Sequence, residues 1–382
     1  MSTPYSHELD TALHAIHATS LLTKNVLRNL SNSVSAEIKP DDSPVTIADF
    51  AAQAIIIGAV HAVFPDDRFI GEESAASLRR DVALASRVWE LVSSAGKSEV
   101  QDKRSVGGTA LAKSYYPKTV DEMLDRIDLG TGEQTGKGRV WVLDPIDGTA
   151  TFMEGKQYAI CLCLLVDGVQ QVGVTGCPNL KLDSVGSKIH EDQVDATGYG
   201  VVLSAVKGRG TYVRTMHADG LGDARRVQHQ VQTKDLSALD FVEVKWGKTS
   251  LSQPEHRATA ESVGAEWPGT LLWSQQMKYA ALTLGATDVM VRIPIGKERY
   301  TYIWDHAGGH LLYHEVGGII KDFDGGKIDF GQGRKLLGEN NFGMIAAMPW
   351  CFDKVVQAVK GVLEKRTQVA VGLGDGSIAT RS

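Results

Sequence analysis

The sequence predicts a mixed α/β protein whose helices and strands stack in layers. Helical and strand patterns alternate in both halves of the 382 residues, and the composition, 43% hydrophobic and 23% charged, is that of an ordinary globular protein. This length is sufficient for two domains. We place their boundary between residues 195 and 196, because the polar segment 181–198 has a loop-like composition and separates two structured halves.

Turn-forming residues delimit the elements of the first half. Pro65-Asp66-Asp67 ends a long helical pattern, and Asp167-Gly168 is typical of a turn between two apolar strands. Residues 129–138 are polar and glycine-rich, which predicts a flexible loop. The patterns predict helices at 8–30, 48–64, 78–94 and 117–128, and strands at 69–70, 139–143, 157–166 and 169–176.

The second half alternates between short β-type runs and amphipathic helical segments. It closes with a strand followed by a helix. The patterns predict strands at 200–206, 211–214, 225–231, 240–244, 288–293 and 342–347, and helices at 255–264, 273–284, 306–316 and 350–365.

Charge and composition argue against several classes of protein. The formal net charge is −6 and no basic patch stands out, so nucleic-acid binding through phosphate neutralisation has little support. No apolar stretch approaches the ~18 residues of a membrane span, and the N-terminal segment lacks a signal-peptide core. The four cysteines lack zinc-type spacing and predict reduced, buried thiols. We therefore expect a cytoplasmic monomer that binds a small molecule and neither nucleic acid nor membrane.

Carboxylates recur at the boundaries of predicted elements. Asp49 begins a helix, Glu72 follows a short strand, Asp144 and Asp147 follow a strong strand, and Asp305 precedes a helix. Converging carboxylates repel one another unless a cation lies between them. Oxygen ligands without His or Cys favour Mg²⁺, which shares its coordination shell with water and phosphate. The set predicts a Mg²⁺ site that holds a phosphoryl group.

Each of these carboxylates also has a purely structural interpretation. Thr46-Ile47-Ala48-Asp49 fits a capping box, and Asp305 could serve as an N-cap. Asp144 and Asp147 could be turn residues beside Pro145 and Gly148. Glu72 on its own would be a solvated charge. The functional interpretation therefore depends on the whole ordered set.

Three motifs resemble the signatures of the inositol monophosphatase superfamily, which comprises lithium-sensitive, Mg²⁺-dependent phosphatases. They are Gly71-Glu72-Glu73-Ser74, Asp144-Pro145-Ile146-Asp147-Gly148-Thr149 and Trp304-Asp305-His306-Ala307-Gly308-Gly309. Within the superfamily, Ser43-Pro44-Val45-Thr46 and the Trp-Asp-His of the third motif resemble the fungal 3'(2'),5'-bisphosphate nucleotidases. The resemblance runs from about residue 8 to residue 365. It implies the layered αβαβα sandwich of inositol monophosphatase and fructose-1,6-bisphosphatase.

The resemblance also implies a role for each matching residue. Asp49 and Thr149 would orient and deprotonate the attacking water, and Glu72 would hold the metal that activates it. An N-terminal domain, 1–195, would carry most metal ligands, and 196–382 would supply nucleotide contacts and Asp305. Up to three Mg²⁺ would be held by Asp49, Glu72, Asp144, the Ile146 carbonyl, Asp147 and Asp305. Substrate contacts would come from Gly148, Thr149, Lys248, Ser274, Gln275, Lys278, Arg292 and Asp305.

Some positions depart from the nucleotidase pattern. Ala150-Thr151-Phe152 replaces the usual Lys-Gly-Phe, and Lys248 lies in the segment where a histidine is usual. Gln275 aligns with a substrate-contacting serine, with Ser274 one position earlier, and Gly308 replaces an alanine. None of these changes removes a metal ligand, so they bear on the substrate and leave the reaction class intact.

The resemblance implies that adenosine 3',5'-bisphosphate is hydrolysed to AMP and phosphate, with the 5'-phosphosulfate cofactor as a second substrate. Such an activity would clear a by-product of sulfate assimilation and would connect the protein to salt tolerance. One alternative keeps the reaction and changes the substrate to an inositol mono- or polyphosphate. Another is a non-catalytic, metal-binding regulator that senses nucleotides. The complete carboxylate set argues against the regulator.

Overall fold

Helices and sheets alternate in layers in the computed structural model of this protein. The structure describes residues 4–29, 36–38, 44–101, 115–181, 187–229, 235–244 and 249–374. Its helices are α1 (Ser6–Asn29), α2 (Ile47–Val63), α3 (Ala76–Arg80), α4 (Val82–Gln101), α5 (Val120–Asp128), α6 (Thr149–Met153), α7 (Gln253–Ser262), α8 (Gln275–Leu284), α9 (Ala307–Glu315) and α10 (Pro349–Gly374).

The strands are longest in the first half and become short in the second. In the first half they are β1 (Ala36–Ile38), β2 (Pro44–Thr46), β3 (Arg68–Gly71), β4 (Arg139–Asp147), β5 (Ala159–Val166) and β6 (Val169–Cys177). The others are β7 (Val201–Val206), β8 (Thr211–His217), β9 (Gly220–Leu221), β10 (Arg225–Arg226), β11 (Val242–Glu243), β12 (Thr270–Leu271), β13 (Val289–Arg292), β14 (Tyr300–Tyr302), β15 (Ile319–Lys321), β16 (Lys335–Leu337) and β17 (Met344–Ala347).

An eight-stranded sheet forms the centre of the molecule. Its order is β10-β8-β7-β6-β5-β4-β3, with β9 paired to β8. Only β3 and β4 run parallel, and the other pairs are antiparallel. The parallel pair brings the C-terminal ends of β3 and β4 to the same edge, because Gly71 lies opposite Leu143. The first two carboxylate motifs therefore emerge side by side.

The central sheet is buried on both faces. Along β5, Leu162 and Leu164 enter one core with α1 and α2, whereas Cys163 and Leu165 enter a second core with α8 and α9. Side chains alternate between the two faces of a strand, so a strand covered on both faces must be apolar throughout. This accounts for the continuous apolar run in β5.

A smaller sheet lies beyond α8 and α9. Its three strands have the order β13-β17-β15 and are antiparallel. Met290 and Ala346 join the core beneath α8 and α9, and Val291 joins a third core with α7 and α10. The layers are therefore α1/α2, the large sheet, α8/α9, the small sheet and α7/α10. The predicted αβαβα sandwich is confirmed.

Most predicted elements are present, with differences that have local causes. The helix predicted at 78–94 is two helices, because Asp81 is extended and its Oδ1 accepts a hydrogen bond from Leu84 N at 3.0 Å, which starts α4. Of the strand predicted at 225–231, Arg225–Arg226 forms β10, residues 227–229 are not in a strand, and residues 230–231 lie outside the described residues. The strands that the sequence did not predict have only two or three residues each: β1, β2, β9, β12, β14, β15 and β16.

Gly308, one of the departures from the family pattern, lies at the start of α9 against the large sheet. A Cβ at this position would come closer to Cys161 Sγ than van der Waals contact allows. The thiol of Cys161 is 1% exposed and receives a weak hydrogen bond from Thr175 Oγ1. The glycine at position 308 therefore leaves room for the Cys161 side chain on β5, which a Cβ at this position would displace.

The proposed boundary at 195 and 196 stays a prediction. Strands β6 and β7, on its two sides, pair in the same sheet through Gly176 and Val202. Among the described residues, no helix combines the length and apolar character needed to cross a membrane.

Candidate active site

Three aspartates meet where β4 ends and α9 begins. A carboxylate oxygen from each of Asp144, Asp147 and Asp305 lies within 4.8 Å of the others. Asp144 and Asp147 are 2% and 8% exposed. Strand β4 continues through both of them, with a register shift between the two that accommodates Pro145. The bulge turns both carboxylates toward one point, so they are not ordinary turn residues.

The two carboxylate oxygens of Asp49 have different partners: one caps a helix and the other contacts Thr149. Its Oδ2 accepts hydrogen bonds from Thr46 N at 2.8 Å and Thr46 Oγ1 at 2.6 Å, which completes the predicted capping box of α2. Its Oδ1 lies 3.2 Å from Thr149 Oγ1, which also lies 3.1 Å from the Ile146 carbonyl oxygen. The structure thus brings Asp49, Ile146 and Thr149 together.

Glu72 follows β3, and its negative charge acts on the clustered aspartates. Its carboxylate raises the pKa of both Asp144 and Asp305. The backbone beside it is fixed by Gln53, which donates to Glu73 O at 2.6 Å and accepts from Glu73 N at 3.0 Å. Glu72 therefore projects from a rigid turn.

A distant arginine supports the same turn. The guanidinium of Arg334 donates to Gly71 O at 2.9 Å and to Gly130 O at 3.0 Å. The Cζ atom of Arg334 lies over the ring of Trp304, 4.7 Å from the ring centroid. Arg334 thus links the first carboxylate motif to the third.

Asp147 is held by the N-terminal end of α8. Its Oδ2 accepts hydrogen bonds from Ser274 Oγ at 2.7 Å and from Gln276 N. Ser274 also caps α8 by accepting from Met277 N at 3.0 Å. The positive end of this helix favours the ionised carboxylate. The Ser274 hydroxyl, predicted to contact substrate, thus donates its proton and accepts one bond within the protein, which leaves one lone pair for a further contact.

Asp305 lies in a short 3₁₀ helix, Ile303–Asp305, and does not provide a side-chain cap for α9. Its Oδ2 accepts from Thr301 Oγ1 at 3.3 Å. Thr301 Oγ1 lies 2.9 Å from His306 Nε2, and Tyr279 Oη lies 2.9 Å from His306 Nδ1. His306 is fully buried, so it supports the third motif from within the core.

Burial and mutual repulsion act together on the acidic cluster. Burial raises the pKa of Asp144 well above its ordinary value, and Glu72, Asp147 and Asp305 raise it further. Burial also raises the pKa of Asp147, against the opposing effect of its Ser274 and backbone hydrogen bonds. For Asp305 the pKa rises from 3.8 to about 7, through burial first and then through Asp147 and Glu72.

This arrangement fits a hard divalent cation. The cluster offers only oxygen ligands, which suits Mg²⁺ better than zinc. Its carboxylates repel one another in a buried setting, a cost that an intervening cation would offset. The chemistry of the donors and their electrostatics thus agree with the predicted metal site. The ligand role of each residue stays a prediction.

A buried lysine and a half-buried arginine lie beside the acidic cluster. Lys278, on α8, is 5% exposed, and burial followed by repulsion from Arg292 lowers its pKa to about 8. Burial also lowers the pKa of Arg292, while the charge of Asp305 raises it. Gln275 Oε1 accepts a hydrogen bond from Arg292 Nη1. A second anionic group of a substrate could be held here.

Gly148 occupies a backbone conformation that suits its predicted role. Its φ of 91° is left-handed, and a Cβ would meet Ser274 Cβ at 2.9 Å. The glycine therefore lets β4 turn directly into α6, with Thr149 as its first residue. Lys248, the remaining predicted contact, lies outside the described residues.

Comparison with known proteins decides the family. The model of the inositol monophosphatase family matches residues 7–351. The chain belongs to this family. It is 37% identical over 364 residues to a 3'(2'),5'-bisphosphate nucleotidase of Emericella nidulans, covering 94% of this chain and 99% of that protein. It is also 37% identical over 365 residues to the Schizosaccharomyces pombe 3'(2'),5'-bisphosphate nucleotidase, covering 94% and 97%.

Two solved structures of low sequence identity share the fold. Inositol monophosphatase II from Staphylococcus aureus has a TM-score of 0.54 at 15% identity, covering 98% of this chain and 100% of that chain. The extragenic suppressor protein SuhB from Bartonella henselae has a TM-score of 0.57 at 18% identity, covering 93% and 99%. The family is metal-dependent, and the three clustered aspartates are the corresponding feature here.

The sequence alone did not single out several residues that shape this family site. Gln53 and Arg334 fix the backbone of the first carboxylate motif through contacts that span 20 and 263 positions, and Thr301 contacts Asp305 from four positions before it. Glu191 is another, because its Oε2 accepts from Trp273 N at 2.7 Å, immediately before Ser274. No motif includes these positions, and for Gln53, Arg334 and Glu191 the partner is at least 20 positions away in sequence.

The raised pKa of Asp305 predicts opposite effects of pH on the metal-free and Mg²⁺-bound protein. A carboxyl group with a raised pKa in the folded state stabilises the metal-free fold at low pH. That contribution is lost as the pH rises from about 4 through about 7. Mg²⁺ needs the ionised group, so its stabilising effect should grow over the same interval.

Thermal melting from pH 5 to pH 8, with and without Mg²⁺, would measure this effect. The difference in Tm between the two states should widen as the pH rises. Asp305→Asn should flatten that dependence, because the amide does not titrate. A Tm difference that stays constant with pH in the wild-type protein would contradict the prediction.

Proposed function

We propose that this protein hydrolyses the 3'(2')-phosphate of adenosine 3',5'-bisphosphate to AMP and phosphate, with Mg²⁺ as cofactor and inhibition by Li⁺. The 5'-phosphosulfate cofactor is a second substrate. The observation that carries the proposal is the position of Lys278 and Arg292 beside the acidic cluster, because a bisphosphate needs two anion-binding regions. The nucleotidases of Emericella nidulans and Schizosaccharomyces pombe support the same substrate.

The described residues suggest which groups would bind the metal and what the metal would contribute to the reaction. The acidic cluster would hold Mg²⁺ through Asp144, Asp147, Asp305, Glu72 and Asp49, and the metal would supply charge neutralisation at the phosphate and lower the pKa of water. The Ile146 carbonyl would complete the ligand set. Phosphoryl transfer depends mainly on such positioning and neutralisation, so no Ser, Cys or His nucleophile is required.

Thr149 and Asp49 would orient the attacking water and take up its proton. Their side chains already lie within hydrogen-bonding distance, and Asp49 keeps one oxygen for this contact while the other caps α2. The backbone N–H groups that begin α6, after Gly148, would hold phosphate oxygens. Lys278 and Arg292, with Gln275 beside them, would bind the second phosphate, and Ser274 and Lys248 would complete the nucleotide contacts.

A substrate panel tests the proposal. Phosphate release would be measured from adenosine 3',5'-bisphosphate, the phosphosulfate cofactor, inositol 1,4-bisphosphate and inositol 1-phosphate, with Mg²⁺ and with or without Li⁺. We expect kcat/KM to be highest for the adenosine bisphosphate and Li⁺ to suppress turnover. Preference for either inositol phosphate would replace the substrate assignment. Absence of release from every compound would refute an enzymatic function.

A further inference from the structure

Strand β13 leaves the small sheet directly after Arg292, where its ladder with β17 ends at Met344. The backbone of the next residue, Ile293, bonds to the start of α7 instead. Its N–H donates to His256 Nε2 at 2.8 Å, and its carbonyl oxygen accepts from Ser252 N at 2.7 Å. Residues 294–300, which follow, are half-buried or exposed. Arg292 is thus the last residue of a buried strand before an exposed segment, and α7 holds that point.

The contacts of His256 determine which ring nitrogen carries its proton. His256 and its neighbour Glu243 are 1% and 2% exposed. A backbone N–H can only donate, so Nε2 of His256 accepts the bond from Ile293. Nδ1 then carries the ring proton and donates to Glu243 Oε2 at 2.8 Å. The carboxylate of Glu243 therefore fixes the neutral tautomer whose Nε2 lone pair faces Ile293.

Glu243 also holds the segment that leads into α8. Its carbonyl oxygen accepts a hydrogen bond from Leu272 N at 2.9 Å, in the short connection between β12 and α8. The side chain of Glu243 thus reaches the end of β13 through His256, while its backbone reaches the start of α8. Arg292 lies on β13 and Lys278 on α8. The same buried pair therefore links the two elements that carry the proposed cations of the second anion site.

The charges around these two cations show why they need support. Burial lowers the pKa of Lys278, and repulsion from Arg292 lowers it further. Two groups that repel one another stay close only where the surrounding structure holds them. The carboxylates of Glu243 and Asp147 raise the pKa of both cations, but Asp147 is a predicted metal ligand whose charge Mg²⁺ would neutralise. Glu243 lies outside the predicted ligand set and keeps its charge beside them.

The guanidinium of Arg292 has room and donors for a ligand. Arg292 is half-buried and lines a cavity together with Thr301. Its Nη1 donates to Gln275 Oε1, and its Nη2 lies 3.4 Å from Thr301 Oγ1. A guanidinium has five N–H donors, so others are left for an anionic group. His256 itself needs no access to the ligand, because its contact is with the backbone.

We propose that His256, oriented by Glu243, is a positioning residue that holds Arg292 in place for the second anionic group of the substrate. This inference deepens the proposed function and rests on it for the role of the two cations. His256 acts through the backbone of Ile293. A group that is held in place before its ligand arrives loses less conformational freedom on binding, and so binds more tightly.

Binding of AMP and adenosine to the Mg²⁺-loaded protein tests this role without depending on turnover. The two ligands differ by the 5'-phosphate, so the ratio of their affinities, measured by calorimetry, reports on the second anion site. His256→Asn keeps a donor near Nδ1 for Glu243 and removes the acceptor of the Ile293 N–H. We expect the ratio to fall about 5- to 30-fold, the effect of one lost buried acceptor, and adenosine to bind within about twofold of the wild type.

Three further variants sharpen the comparison. His256→Gln can bring its amide oxygen to the position of Nε2, so the ratio should return to within about threefold of the wild type. Glu243→Asp keeps the charge and withdraws the acceptor of His256 by one methylene, so it should lower the ratio and serves if His256→Asn does not fold. Glu261→Gln is the matched control on the same helix, because Glu261 is 52% exposed, and it should bind like the wild type. Melting temperatures would check the fold of every variant.

Steady-state kinetics gives a second measurement. Adenosine 3',5'-bisphosphate and adenosine 3'-phosphate carry the same scissile phosphate, and only the first has a 5'-phosphate. His256→Asn should raise KM for the bisphosphate about 5- to 30-fold with kcat within about threefold, and leave both constants for the monophosphate near the wild-type values. A residue that only stabilised the fold would affect the two substrates alike.

Three results would overturn the inference. They are a wild type that binds AMP no more tightly than adenosine, a wild-type ratio in whichever of His256→Asn and Glu243→Asp folds, and an equal loss of affinity for both ligands. Phosphate release by the wild type decides the proposed function separately. Hydrolysis of the bisphosphate with an unchanged ratio refutes the role of His256 alone. A lowered ratio in His256→Asn, without hydrolysis by the wild type, refutes the proposed enzymatic function alone.

Discussion

Replacing Asp144 by asparagine should abolish phosphate release and, without metal, raise the melting temperature. Asp144 is 2% exposed, and its pKa is raised by burial and by Glu72, Asp147 and Asp305. The amide removes the charge that these neighbours oppose, while its oxygen can still accept the bond from Ile146 N. Loss of a metal ligand should reduce kcat by at least ~10³-fold, as expected when several kcal/mol of charge stabilisation disappear.

Two measurements check this expectation. Phosphate release would be followed at saturating Mg²⁺, and melting would be recorded with and without Mg²⁺. The Mg²⁺-induced rise in Tm should largely vanish in Asp144→Asn. Asp192→Asn, a change at an exposed position, should leave both properties as in the wild type. Retained turnover, or a metal-free variant that melts below the wild type, would contradict the assignment of Asp144.

Thr149→Val should reduce kcat by about 10²- to 10⁴-fold, the range for loss of a group that positions or transfers a proton. The Thr149 hydroxyl lies 3.2 Å from Asp49 Oδ1 and 3.1 Å from the Ile146 carbonyl oxygen. Valine keeps the size of the side chain and removes the hydroxyl. The three clustered aspartates are unchanged, so the Mg²⁺-induced rise in Tm should persist.

Thr149→Ser is the matched control for this effect. Serine keeps the hydroxyl, so kcat should stay within about tenfold of the wild-type value. The comparison is made by steady-state phosphate release with the adenosine bisphosphate. If the valine variant turned over at the wild-type rate, or if both variants lost activity equally, the hydroxyl would have no part in the reaction.

The layered fold and the family could be predicted because their signals are local. The apolar run of β5 and the amphipathic helices give the layers, and the three motifs give the family. The capping box of Asp49 was also predictable, since Thr46 and Asp49 are three residues apart. From the sequence alone, helix capping and a role in the metal site are alternative interpretations of Asp49. The structure accommodates both, because each carboxylate oxygen has its own contact.

The supporting contacts could not be predicted, because they depend on how the layers pack. Gln53 contacts the backbone of Glu73, and Arg334 contacts the carbonyl oxygen of Gly71 from 263 positions away. Neither residue belongs to a motif. The short strands β14 and β16 were missed for a related reason: three residues carry too little periodicity, and their pairing is decided by the tertiary structure.

The contact of Arg334 with Gly71 has a consequence for synthesis of the protein on the ribosome. The two residues are 263 positions apart. At a translation rate of about 5–20 residues per second, that distance takes on the order of 13 to 50 s to complete. During this interval the turn that carries Glu72 lacks the guanidinium that holds it to the third motif. The nascent chain thus presents the acidic side chain of Glu72 before this support is in place, and any fragment released before residue 334 would lack it.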